Sequence, residues 1–362
     1  MKTLSIQDCL DMRKNNFTLM RFLAAFAVLF GHSYPLSIGL KGGEDRISVF
    51  LIDLWGRSLA SMAVDVFFVI SGFLICASFI QRKSLLIFAE ARLLRILPGL
   101  IVAVIFSILI GAWVTTEPLA NYFSSPSTTS FFVHNVTLLS GIQFDLPGVF
   151  LNNPYPGSVN GSLWTLPIEV RMYLWLAVLG SLTLLQSEKV FNLFFLLICL
   201  MYVQAPAGTF LMARDAEEVR LGMMFLVGSF LYVNKHRISL GFAGMLILVV
   251  LTYVTRNSGY APYIKSIAFA YFVLLVALHP KLNLPSIDRW GDVSFGLYIY
   301  AFPVQQTVAH FMPGVRPLQM FAIASVITLI LAICSWRFVE KPALTFKGKM
   351  LRFKKEETIE PV

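Results

Sequence analysis

Residues 17–36, FTLMRFLAAFAVLFGHSYPL, decide the fold class of this chain. The stretch is apolar and long enough to cross a bilayer as one helix, yet it contains the ionisable residues Arg21 and His32. Their spacing of eleven positions places both on one helical face, about 16 Å apart along the axis. Ionisable groups at such depth face the protein interior or a wet cavity. The pair therefore predicts a functional site inside a membrane protein.

The composition of the whole chain agrees with this interpretation. Of its 362 residues, 57% are hydrophobic and 14% are charged, and the mean hydropathy is +0.73. We predict an all-α integral membrane protein with about ten transmembrane helices, forming one transmembrane domain over residues 1–345, followed by a short basic cytoplasmic tail over 346–362. The ten apolar runs are residues 17–36, 61–80, 96–114, 162–185, 190–204, 220–233, 238–255, 263–279, 293–311 and 318–336.

The distribution of positive charge predicts the orientation. With a cytoplasmic N terminus, twenty Lys and Arg residues fall on the cytoplasmic side and eight on the other, so both termini are predicted to be cytoplasmic. The connection 115–161, which contains no Lys or Arg, is then external. This bias accounts for the formal charge of +9, and no basic run interleaved with aromatic residues indicates nucleic-acid binding. Four isolated cysteines favour neither a disulfide framework nor a metal site.

Two groups of ionisable residues emerge when depth is counted along the spans. The outer third holds the candidate catalytic residues His32, Asp65 and Glu169. The inner ends hold Arg21, Arg92 and Arg95. A histidine beside a carboxylate suits general-base chemistry, and guanidinium groups suit phosphate. Tyr173, four positions after Glu169, shares its helical face. The pattern predicts a phosphorylated donor from the cytoplasm and an acceptor activated near the outside.

Simpler interpretations exist for the same residues. His32 is also compatible with an interhelical hydrogen bond, as membrane helices use histidine in this way. Arg92 and Arg95 are also compatible with a role as positive-inside anchors. Asp65 is also compatible with a charge at a helix N terminus, which the helix dipole favours.

Several landmarks, taken in order, resemble the membrane acyltransferase 3 family of multi-spanning O-acyltransferases. They follow the first-helix pattern of Arg21 and His32 eleven positions apart. The resemblance covers about residues 16–342. The landmarks are VDVFFVISGFL (64–74), RLLR (92–95), GSLWTLPIEVRMY (161–173), DVSFGLYIYAFPV (292–304) and FVEKP (338–342).

The resemblance implies an activity and residue roles. A ten-helix enzyme of the bacterial inner membrane would take an acyl group, most often acetyl, from cytoplasmic acyl-CoA and transfer it to a sugar hydroxyl of an exported or lipid-linked polysaccharide. His32 would be the catalytic base and Glu169 a supporting acid. Arg92 and Arg95 would contact the coenzyme A phosphates, with Arg21 in the same donor channel. Membrane lipids and the glycan acceptor are the implied partners, and no metal is implied.

The chain departs from the family pattern at Ala301, where many members have histidine, so a second histidine role is not expected here. The esterase-like domain of some relatives is not expected either, so transfer is completed by the membrane core or a separate partner. Direct transfer and a transient acyl-His32 intermediate both fit the residues. A transporter or flippase for a sugar or lipid-linked glycan is the alternative function. Acceptor choice is predicted to reside in segments 37–60 and 115–161.

Overall fold

The computed structural model of the chain describes residues 4–12, 14–82, 84–138, 141–204 and 213–347. It is mostly helical, with one two-stranded sheet of β1 (Leu4–Ser5) and β2 (Ser239–Leu240). Most of the predicted tail, residues 348–362, lies outside the described residues. The α-helices are α1 (Ile6–Asp11), α2 (Phe17–Ile38), α3 (Arg46–Trp55), α4 (Leu59–Arg82), α5 (Leu85–Val114), α6 (Leu119–Ser124), α7 (Pro126–Thr137), α8 (Leu166–Ser181), α9 (Glu188–Gln204), α10 (Ala216–Val233), α11 (Phe242–Val254), α12 (Ala261–Leu278), α13 (Ser294–Phe311), α14 (Pro317–Ser335) and α15 (Lys341–Leu344).

Six helical segments are long and apolar enough to cross a membrane. They are Phe17–Ile38, Leu59–Arg82, Leu85–Val114, Gly161–Ser181, Ala261–Leu278 and Pro317–Leu344. The multi-pass membrane character is thus supported, whereas a count of ten spans is not confirmed in the described part of the chain. The other four predicted runs coincide with α9, α10, α11 and α13. The 13 residues of α11 rise only about 20 Å, less than the hydrocarbon thickness.

Two segments predicted as polar connections contain helices. Residues 37–60 include α3, which begins where the Asp45 carboxylate accepts a 2.7 Å hydrogen bond from the Ser48 backbone N–H. Residues 115–161 include α6 and α7, and α7 begins at Pro126 after the Ser125 cap. Side-chain caps start α3 and α7, and α6 follows Pro118, so local signals other than hydropathy mark where these helices begin.

The helices divide into two compact units, described here one at a time. The first unit comprises Met1–Arg21, Val64–Lys83 and Ile168–Arg289. Within it α4 and α10 approach closely at glycines. A Cβ on Gly72 would lie 1.9 Å from the Phe225 carbonyl oxygen, and one on Gly228 would lie 2.2 Å from that of Val69. Any larger residue at these glycines would separate the two helices.

The second unit comprises Phe22–Ala63, Ser84–Pro167 and Trp290–Val362. Its core forms where α13 packs on α14, with Gly296 so close that a Cβ would lie 2.9 Å from the Ala332 Cα. A second close approach joins α2 to the start of α4, where a Cβ on Gly31 would lie 2.8 Å from that of Ala60. His32 follows Gly31 on α2, so these close approaches fix its position.

Candidate active site

His32 projects from α2 against an aromatic ring of α13. The His32 and Phe302 ring centroids are 5.5 Å apart with an interplanar angle of 79°, an edge-to-face contact. The histidine is partly buried, and its Nδ1 is enclosed without a hydrogen-bond partner in the described residues. An imidazole nitrogen in this position can accept a proton from a bound ligand or donate one to it.

Phe302 also packs against the segment that precedes α8. A Cβ on Gly161 would lie 2.6 Å from the Phe302 ring, so only glycine fits at this close approach. The Tyr155 ring contacts Phe302 from another side, with centroids 6.0 Å apart. Phe302 therefore has little freedom, which fixes the aromatic wall beside His32.

A proline in α13 explains why residue 160 is an asparagine. Pro303 has no backbone N–H, so the carbonyl of Ile299, four residues earlier, loses its helical donor. The Asn160 side chain supplies the replacement through a 2.9 Å hydrogen bond from Nδ2 to that carbonyl. Asn160 is fully buried, and its Oδ1 has no partner among the residues that the structure describes.

Gln305 links α13 to the turn of α2 that contains His32. Its Nε2 donates to the Leu29 carbonyl and to the Ser33 hydroxyl, each at 2.8 Å. Its Oε1 and the Ser162 hydroxyl are both buried without a hydrogen-bond partner in the described ranges.

Four buried polar atoms of the second unit thus lack a hydrogen-bond partner in the described residues. Buried polar groups in folded proteins are nearly always paired with protein or ordered water. The four atoms are His32 Nδ1, Asn160 Oδ1, Ser162 Oγ and Gln305 Oε1. Their groups offer both acceptors and a donor, which suits a hydroxyl-bearing ligand. We name these four residues the polar cluster.

The loop that precedes the polar cluster is tied to α13. Asn153 donates through Nδ2 to the Gln306 carbonyl at 2.9 Å and to its side-chain oxygen at 2.8 Å. Gln306 in turn donates through Nε2 to the carbonyls of Tyr155 and Ser158, at 2.7 and 2.6 Å. This part of the segment 115–161 is therefore an ordered wall.

Arg95 lies at a junction of three of the sequence landmarks. Its guanidinium pairs with Asp292 at 2.7 Å and with Glu340 at 3.1 Å, and it lies over the rings of Phe295 and Trp336 at 5.6 and 5.7 Å. Glu340 is only 1% exposed, so this charge is compensated inside the protein. RLLR, DVSFGLYIYAFPV and FVEKP are thus joined by one ion-pair cluster, which the sequence did not indicate.

The neighbouring arginine, Arg92, is one turn earlier on α5. It is partly buried, and its guanidinium carbon lies 6.0 Å from the Phe88 ring centroid. Arg21 belongs to the first unit, near the start of α2. The structure thus places Arg92 and Arg95 in one unit and Arg21 in the other.

In the first unit, Glu169 accepts two hydrogen bonds on one carboxylate oxygen. The Ser71 hydroxyl donates to Oε1 at 3.0 Å, and the Tyr173 hydroxyl donates to the same oxygen. The predicted common face of Glu169 and Tyr173 is thereby confirmed. No donor in the described residues reaches Oε2, so one carboxylate oxygen keeps its full accepting capacity.

Asp65 is also in the first unit but in a different environment. It is fully buried and pairs with Arg220 of α10, which also pairs with Glu217. Nearby in sequence to Glu169, Arg171 pairs with Glu218 at 2.7 Å. The partner of Asp65 was missed because nothing local in the sequence relates positions 65 and 220.

No group of three or more His, Cys, Asp or Glu residues in the described ranges is arranged to hold a metal ion.

A family model and several known proteins are similar in sequence to this chain. An acyltransferase-domain family model matches residues 14–337. An O-acetyl transferase of Shigella phage Sf6 is 28% identical, covering 92% of this chain and 97% of its own length. Nodulation protein 10 of Rhizobium leguminosarum bv. viciae is 25% identical, covering 93% and 95%.

A third relative, the O-acetyltransferase OatA of Staphylococcus aureus, is 24% identical over 78% of this chain and 52% of its own length. No solved structure matches. The family match extends over nearly the whole chain and includes most of the landmarks whose side chains are described above. The chain therefore belongs to the acyltransferase 3 family.

Proposed function

We propose that this chain transfers an acetyl group from cytoplasmic acetyl-CoA to a hydroxyl of an exported or lipid-linked polysaccharide at the bacterial inner membrane. Membership of the acyltransferase family supports acyl transfer. Two relatives bear O-acetyltransferase names, which supports acetyl as the group and oxygen as the acceptor atom.

The observation that carries the proposal is the polar cluster around His32. The imidazole nitrogen, enclosed without a partner in the described residues, and the asparagine oxygen, serine hydroxyl and glutamine oxygen of the segments that flank Phe302 are suited to bind a sugar through several hydroxyls. The aromatic wall of Phe302 and Tyr155 offers an apolar face for the sugar ring.

In the proposed step, the acceptor hydroxyl gives its proton to His32 while its oxygen attacks the thioester carbonyl. The carbon–sulfur bond then breaks, and the coenzyme A thiolate leaves and takes up a proton. A two-stage route, with the acyl group first on the imidazole and then on the sugar, balances equally well. Rapid denaturation near neutral pH during turnover with labelled acetyl-CoA separates the two, because only the second route leaves label on the protein and an acyl-imidazole hydrolyses quickly in acid.

The other predicted residues take supporting roles. Glu169, whose Oε2 accepts no hydrogen bond from the described residues, is proposed to orient a proton-carrying group or to take the proton from it. Asp65 is proposed to act through Arg220, whose position it fixes. Arg21, Arg92 and Arg95 are proposed to contact the acyl-CoA donor. Arg95 would do so while it is paired with Asp292 and Glu340.

Label transfer from radioactive acetyl-CoA into polysaccharide, in membranes that contain the natural glycan, tests the proposal. Loss of a general base lowers the rate about 10²–10⁴-fold, so His32→Ala should transfer almost no label. His236→Ala, a change at an exposed histidine, is the matched control and should transfer as wild type. Full transfer by His32→Ala at equal expression would contradict the mechanism, and no transfer by wild type would contradict the function.

A further inference from the structure

The first unit contains a cavity that the proposed active site does not use. Its volume is about 500 Å³, within the range of small-molecule sites. It lies among α1, the last part of α4 and the end of α10. Because Arg82 ends α4 and Lys235 follows the end of α10, both at predicted cytoplasmic ends, the cavity is predicted to open toward the cytoplasm.

The mouth of the cavity is positively charged. Arg82 and Lys235 are both partly buried and line it, and neither makes an ion pair with any described residue. Lys235 lies over the Tyr232 ring, with Nζ 4.1 Å from the centroid. Asp11 also lines the cavity and accepts a hydrogen bond from Gln7, so the lining carries a net positive charge. Two unpaired cations at one opening favour a ligand with a phosphate group.

The lining also includes an aromatic part and one enclosed hydroxyl. Along α4 the lining extends from Arg82 back to Phe73, nine residues and therefore about 14 Å. Phe73 and Tyr232 form the aromatic part of the wall, with ring centroids 5.3 Å apart, and Lys235 lies against the Tyr232 ring. Ser78, between Arg82 and Phe73 on α4, has a hydroxyl that is enclosed without a hydrogen-bond partner in the described residues.

The cations together with the enclosed Ser78 hydroxyl distinguish between two phosphate-bearing ligands, an anionic lipid and a thioester donor. The hydrocarbon chain of an anionic lipid cannot form a hydrogen bond with the enclosed Ser78 hydroxyl. A thioester donor with an amide-bearing arm can, because an amide can pair with Ser78 and remove the cost of a buried unsatisfied group. We infer that this cavity is the donor site, with the coenzyme A phosphates at Arg82 and Lys235 and the pantetheine arm along Ser78 toward Phe73. The inference rests on the proposed function.

Binding of coenzyme A and of pantetheine to the full chain, in phosphatidylcholine nanodiscs, tests the inference by calorimetry. Arg82→Gln and Lys235→Gln should each weaken coenzyme A binding about tenfold or more and leave pantetheine binding unchanged, because pantetheine has no phosphate. Ser78→Leu, which fills the passage, should weaken both. Arg256→Gln is the matched control, since Arg256 lies over Tyr253 at the same 4.1 Å but does not line this cavity. Thermal melts establish that each variant is folded.

The outcomes separate the inference from the proposed function. Tight coenzyme A binding by wild type and by all three cavity variants would overturn the inference and leave the function standing. No coenzyme A binding by wild type would overturn both. If the variants lose phosphatidylglycerol measured by native mass spectrometry while they keep coenzyme A, the cavity is a lipid site and the inference is wrong.

Discussion

Substituting Gly161 by alanine perturbs the wall of the proposed active site without removing any functional group. The new Cβ would lie 2.6 Å from the Phe302 ring, whereas ordinary contact begins at 3.4 Å, so the ring must move about 0.8 Å. Phe302 is 5% exposed and contacts His32, so a shift of the buried ring disturbs the imidazole. Overpacking of this kind costs about 1–3 kcal/mol of stability. A misplacement of about 1 Å can lower a rate about 100-fold.

The assay is acetyl transfer per folded protein, with stability followed by thermal melting. Gly161→Ala should lower transfer by about 100-fold while the protein remains folded. Gly259→Ala is the control, because nothing lies within 4 Å of its added Cβ. In a background of Phe302→Leu the space for the Cβ is larger, so the stability loss from Gly161→Ala should be smaller there, a coupling of about 0.5 kcal/mol or more.

Wild-type transfer and an unchanged melting temperature in Gly161→Ala would refute the reasoning. That result would mean that the contact between Gly161 and Phe302 neither restricts the ring nor positions His32.

Three further predictions concern the buried charges. Glu340→Gln removes one of the two carboxylates paired with Arg95 and should destabilise the protein by about 1.5–3 kcal/mol in denaturation, because a buried charge-assisted hydrogen bond is lost while Asp292 stays; a neutral effect would contradict its structural importance. Asp65→Asn should lower the melting temperature and transfer together, since it leaves the buried Arg220 guanidinium with the exposed Glu217 as its remaining carboxylate partner, and loss of transfer at full stability would instead indicate direct catalysis. Tyr173→Phe removes one hydrogen bond from Glu169 and should lower transfer more than stability, where about 1 kcal/mol is expected; unchanged transfer would argue against a role for that carboxylate.

The membrane fold was predictable where one local signal dominates. The helix expected from residues 17–36 is found at Phe17–Ile38, because continuous apolar sequence leaves no other conformation in a membrane. The common face of Glu169 and Tyr173 followed from helical spacing alone and is confirmed by their hydrogen bond. Helices α3, α6 and α7 were missed because side-chain caps and prolines start them within polar sequence.

The contacts of the candidate site were less predictable because they join distant positions. Arg95 meets partners 197 and 245 residues away, and no local spacing reveals such pairs. Pro303 leaves the Ile299 carbonyl without a helical donor, and nothing local in the sequence reveals that Asn160, 139 residues away, supplies one. Sequence reasoning therefore found His32 and missed Asn160 and Gln305.

Acetyl ester content of the surface polysaccharide, measured as acetate released by mild alkali, tests the central claim most directly. Cells that lack the gene for this chain are complemented with wild type, His32→Ala or His236→Ala at equal expression. The account predicts esterified polysaccharide with wild type and His236→Ala and about 10²–10⁴-fold slower esterification with His32→Ala. Equal acetate from His32→Ala and wild type would contradict the claim that His32 carries acetyl transfer.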